Sequence, residues 1–80
     1  HCHLDAPEFD ADRAEVLARA RAAGVVAQVV PAVSAASFPA LAALAGLEAD
    51  VHPCYGLHPM YLAQHRDEHL ADVRQYLASD

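Results

Sequence analysis

The sequence predicts an α/β fold built on a parallel sheet. A β-branched run over residues 25–30, Val-Val-Ala-Gln-Val-Val, is nearly continuous in apolar character, as a strand covered on both faces requires. Helical apolar stripes precede and follow it at the spacing of right-handed β-α-β crossovers. His1-Cys2-His3 and Gly56-Leu57-His58-Pro59 fall where two strands should finish. Carboxyl ends of strands are where such sheets hold their functional groups.

Taken in order, the first element is the tail of a strand. Two imidazoles at i and i+2 share a face only on extended backbone, because strand side chains alternate with period two. The rest of that strand should lie before residue 1, so the chain is expected to be a piece of a longer protein. A polar connection over residues 6–11 follows. Asp12 with Glu15 three residues later reads as a capping box, and Val16, Leu17, Ala20 and Ala23 mark one face of a first helix. Gly24 stands where a C′ glycine ends a helix. Pro31 closes the core of the second strand. Ser34 or Ser37 caps a second helix over residues 38–46, with Leu41, Leu44 and Ala45 inward. Residues 51–57 read as a third strand, although Pro53 speaks against it. A third helix from Asp67 puts Leu70, Val73 and Leu77 on one stripe.

Eighty residues allow one small domain, and 55% apolar content places it among globular chains. Net charge is −6, with five arginines and no lysine. A basic phosphate-neutralising patch is therefore not visible, and any phosphate chemistry must draw on metal charge. Gly-x-Gly-x-x-Gly and Gly-Lys-Ser/Thr loops are lacking, which takes most of the weight from the nucleotide-binding readings. Cys2 and Cys54 are expected on opposite layers of the sheet, unable to bridge. Reduced thiols point to a cytoplasmic setting. No signal peptide or membrane span is evident: the longest apolar stretch, residues 24–36, is interrupted by Gln28, Pro31 and Ser34.

Neutral imidazoles suit zinc, nickel, manganese or iron, and with carboxylates they build hydrolytic metal sites. His1 and His3 are read as metal ligands. At least one further ligand is required for a catalytic centre. Asp5 lies just past the strand end and is read as a group that orients a ligand or caps the turn, rather than as a ligand. His58, between Gly56 and Pro59, sits at a rigid turn with room for a substrate. Two readings stay open for it: a donor to substrate phosphate or general acid/base near the metals, and a ring bonded to its own loop. His52 is read as structural. His65 and His69 are read as a solvated helix face, and Tyr61 as an amphipathic packing residue in preference to one that lines a cleft.

These motifs resemble the amino-terminal part of TatD-type metal-dependent deoxyribonucleases. The residues that carry the resemblance are His1-Cys2-His3-Leu4-Asp5, the acidic helix start, Gly24-Val25-Val26, and above all Tyr55-Gly56-Leu57-His58-Pro59. It runs over essentially the whole chain. It implies a partial (β/α)8 TIM barrel, about the first three βα units of eight, in one metal-dependent hydrolase domain spanning residues 1–80. It further implies two divalent metal ions (magnesium, manganese or zinc) with His1 and His3 among the ligands, His58 near the substrate phosphate, and DNA as the substrate. The Asp-Ser/Thr pair that precedes the histidines in such relatives is absent, as is every later ligand. The chain alone is therefore expected to be inactive and to fold poorly. Two other readings remain: a related amidohydrolase-superfamily enzyme acting on an amide, lactone or small phosphoester, and a non-catalytic α/β fragment.

Overall fold

The computed structural model describes residues 1–78. Three helices, α1 (Arg13–Ala22), α2 (Phe38–Leu47) and α3 (Glu68–Ala78), alternate with two strands, β1 (Gln28–Pro31) and β2 (Val51–Cys54). Single 3₁₀ turns occupy Pro7–Phe9 and Ala35–Ser37, and two more, joined at a kink at Tyr61, cover Pro59–Gln64. The strands are parallel, with Gln28 opposite Val51 and Pro31 opposite Cys54.

Both prolines in the sheet are tolerated for one reason. The N–H groups of Gln28 and Ala32 donate to the Asp50 and Cys54 carbonyls at 2.7 and 2.8 Å. The even-numbered positions therefore make the ladder, and Pro53 turns its missing donor away from β1. Pro31 turns its own toward the amino-terminal segment. There, Cys2 N–H donates to the Val29 carbonyl at 3.0 Å, and the His3 ring meets Pro31, so the segment runs alongside β1 in the same direction. The return bond in this register would come from Pro31 N–H, which does not exist, so the expected first strand is held by one ladder bond without becoming regular strand.

Helices cover one face only. Leu17 of α1, Phe38 and Leu41 of α2, and Val30 and Val51 of the sheet form the core with Leu4, Ala32 and Tyr55. The opposite face carries Val29, 45% exposed, with His52 and Cys54, both exposed. The expectation of a strand buried on both faces over residues 25–30 is corrected accordingly. Val26 is 87% exposed and regular pairing begins only at Gln28. Cys2 packs against the core on the helix side while Cys54 lies on the bare face, and both thiols are free.

The end of α1 follows its glycine. Gly24 adopts φ +96°, its N–H bonding the Arg21 carbonyl and that of Val25 bonding the Ala20 carbonyl, each at 3.0 Å. This is the paired 5→2 and 6→1 pattern of a Schellman cap. The start of α1 departs from expectation: Asp12 is the N-cap residue but makes no side-chain cap bond. Arg13 does the fastening, donating to the Leu4 carbonyl (2.7 Å), the Ala6 carbonyl (2.8 Å) and the Asp10 carboxylate (2.9 Å). Ser37 sits before α2, again with no cap bond; its hydroxyl donates to the Ser34 carbonyl at 2.8 Å.

The stripe expected for α3 is also corrected. Leu70 and Leu77 are 61% and 55% exposed, whereas Val73 and Tyr76 pack on the core. Tyr76 sets the rotation of the helix, because its ring contacts both Phe38 (5.2 Å between centroids) and Tyr55 (5.0 Å). Such aromatic pairs contribute about 0.5–1.5 kcal/mol beyond burial. Strand β2 stops at Cys54, short of residue 57, but the chain stays beside the β1 exit: His58 N–H donates to the Val33 carbonyl at 2.8 Å.

Candidate metal and phosphate site

Alternation along the amino-terminal segment sends Cys2 and Leu4 toward the helices and His1 and His3 toward the bare face. The His1 and His3 rings lie 5.5 Å apart, steeply inclined to each other. A tetrahedral ion about 2.1 Å from one nitrogen of each ring would set their centroids roughly 5.3 Å apart. The spacing therefore suits a shared ion. His3 adds a second point of fit. Its Nδ1 lies 3.1 Å from the Pro31 carbonyl oxygen, which can only accept, so Nδ1 carries the proton. In the neutral ring Nε2 then keeps its lone pair, the form a metal ligand needs.

His3, Asp5, Ser37, His58, Tyr61 and Gln64 line one cleft of about 390 Å³. His1 is exposed beside His3 and does not line it. A larger hollow of about 480 Å³ lies between α1 and α2, bounded largely by alanine and leucine and without a histidine. His3 and His58 both line the smaller one.

His58 is the N-cap of the Pro59–Gln64 turn, and its Nδ1 accepts from the Met60 N–H at 3.1 Å. An acceptor nitrogen has no proton, so the neutral ring carries it on Nε2. His58 thus presents a donor, and His3 presents a lone pair. Both sequence readings of His58 meet in this geometry, since the ring is bonded to its own loop and still lines the cleft.

Asp5 is half-buried at the edge of the cleft. Burial pushes its carboxyl above the usual value, while its backbone hydrogen bond, His3 and Arg13 pull the other way. The bond that orients His3 comes from the Pro31 carbonyl, not from Asp5. Among the described residues no group of three or more His, Cys, Asp and Glu is placed to hold one ion. Two imidazoles fit the start of a metal site and leave its remaining ligands to be supplied.

Two readings of individual residues are corrected, and one residue is added. Tyr61 lines the cleft, its ring 5.9 Å from that of His58, instead of packing in the core. His65 and His69 do not share a helix face: His65 ends the 3₁₀ turn and is half-buried, and His69 accepts from the Arg66 N–H at 3.0 Å in the first turn of α3. Arg13, which the sequence motifs do not single out, fixes the loop carrying Asp5. The available signal was its position, since a cation in the first turn opposes the helix dipole and needs a tertiary reason.

Scaffold and donors together define an α/β chain that gathers imidazoles at the carboxyl ends of parallel strands. It belongs to the TatD related DNase family, whose model matches residues 1–80. The chain is 40% identical over 77 residues to the uncharacterized metal-dependent hydrolase YjjV of Escherichia coli, covering 96% of this chain and 30% of that protein. It is 43% identical over 61 residues to the deoxyribonuclease TATDN3 of Homo sapiens, covering 75% of this chain and 22% of that protein. The chain thus spans less than a third of the length of these relatives. No helix among the described residues is long and apolar enough to cross a membrane.

Proposed function

We propose that this chain forms about three βα units of a (β/α)8 barrel in a divalent-metal-dependent hydrolase that cleaves phosphodiester bonds in DNA. The observation that carries the reading is the cleft shared by His3 and His58, with the two rings in complementary states. The lone pair on His3 Nε2, with His1 beside it, would hold an ion. The His58 Nε2–H would donate to a phosphate oxygen, where a fixed donor offsets charge that grows in the transition state. When bound, two divalent ions (magnesium, manganese or zinc) supply a water acidic enough to attack at neutral pH and charge to offset the phosphate.

The bare sheet face supports the barrel. Helices cover one side, and Val29, His52 and Cys54 stand exposed on the other, as the inward face of a barrel strand does before its neighbours cover it. Asp5 holds no ion itself and balances charge between His3 and Arg13 at the edge of the cleft. Because two imidazoles are too few ligands, the 80-residue chain is inactive alone, and the free thiols suit a cytoplasmic protein.

The test is hydrolysis by the full-length protein that contains this chain. DNA oligonucleotides, an amide, a lactone and a small phosphoester are offered after chelation and again after adding each metal. Cleavage of DNA restored by metal supports the reading. Metal-dependent turnover of the amide or lactone with DNA left intact moves the protein to the amidohydrolase reading, and metal-independent turnover ends both.

A further inference from the structure

Among the described residues, His65 is the one histidine whose ring bonds another histidine's main chain. Its Nε2 lies 2.7 Å from the His58 carbonyl oxygen, which also accepts the Tyr61 N–H at 3.0 Å. The carbonyl can only accept, so His65 Nε2 carries the proton. His65 ends the 3₁₀ segment that His58 begins. The ring therefore closes the segment end to end. That closure matters because the segment is poor by itself. It is two short 3₁₀ turns joined at a kink, with Tyr61 off helical angles at φ −110°, ψ 26°, so no single helical ladder runs through from Pro59 to Gln64. Its first turn supplies the Met60 N–H that fixes the His58 ring.

We propose that His65 is a positioning residue for His58. By gripping the His58 carbonyl it holds the Met60 N–H against His58 Nδ1, and so keeps the His58 proton on Nε2, facing the cleft. His65 does not touch substrate. The proposal rests on the reading of His58 as a phosphate donor, yet its structural half stands without it.

The experiment uses the full-length protein with 15N-labelled histidine, and reads ring tautomers by NMR beside turnover of a DNA oligonucleotide. In the wild type, His65 and His58 should both be Nε2–H tautomers. His65→Leu should leave His58 as a mixture of tautomers, with kcat down about 10-fold or more, the scale at which lost outer-shell partners are felt. KM and metal content should stay near the wild-type values, because the lost interaction serves the transition state. His65→Gln keeps an N–H donor and should restore the His58 tautomer and most of kcat; it also decides the matter if His65→Leu does not fold. An unchanged His58 ring in folded His65→Leu overturns the proposal, as does a wild-type His65 protonated on Nδ1, or a His65→Gln no better than His65→Leu. A His58 ring that responds to these variants in a protein that leaves DNA intact upholds the positioning role and defeats the phosphodiesterase reading instead.

Discussion

His3 Nδ1 donates to the Pro31 carbonyl across 3.1 Å, joining the first histidine pair to the end of β1. The proline that breaks the backbone ladder to Cys2 is thus the residue that sets the state of the imidazole. Replacing both His1 and His3 by alanine in the full-length protein should weaken divalent-metal affinity by more than about 100-fold, since even outer-shell partners are worth about 10–100-fold. Calorimetric titration checks this. Undiminished stoichiometric binding would remove the pair from the metal site.

Arg13 ties Leu4, Ala6 and Asp10 to the start of α1 with a side chain that is 23% exposed. Hydrogen bonds from charged groups contribute about 1.5–3 kcal/mol. Arg13→Ala should therefore lower unfolding free energy by about 2 kcal/mol, read from urea denaturation. Arg13→Lys should recover little of it, because a single ammonium cannot span three acceptors as a planar guanidinium does.

Gly24 turns the chain from α1 toward β1 at φ +96°, with open space around the position a Cβ would take. Gly24→Ala should cost about 1–2 kcal/mol, the backbone penalty of left-handed conformation without any steric clash. Thermal unfolding checks it. A larger loss would mean that the glycine also permits a close contact.

Arg21 bridges Glu48 and Asp50, with contacts of 2.8 and 2.6 Å, and so fastens the end of α1 to the loop before β2. The hydrogen bonds from Arg21 hold the Asp50 carboxyl below its ordinary value of 3.8. Stability from this pair is therefore present above pH 3.8 and disappears as pH falls through the depressed value. Arg21→Ala should flatten that acid-side loss in a pH series of denaturation midpoints. Raised salt should weaken the wild-type effect, because the pair lies at the surface.

Much of this was legible in the residues. Gly24 announced its cap because only glycine adopts that backbone freely, and the i, i+2 histidines announced a shared face because a strand has period two. Phe38, Leu41 and Leu17 follow helical spacing into the core. What could not be read was tertiary. The rotation of α3 is decided by the contacts of Tyr76 with Phe38 and Tyr55, not by its leucines. The roles of Arg13 and His65 are set by carbonyls that come into reach only when loops fold. The one-sided burial of residues 25–30 reflects which layers are present to cover the sheet, a property of neighbours rather than of the run itself.

The most direct test of the account separates substrate chemistry from metal binding at His58. His58→Ala in the full-length protein should lower turnover of DNA about 10²–10³-fold, the cost of one preorganised donor, and leave metal content by atomic absorption unchanged. Loss of metal with that substitution, or turnover that does not fall, would contradict the division of labour between His58 and the His1–His3 pair.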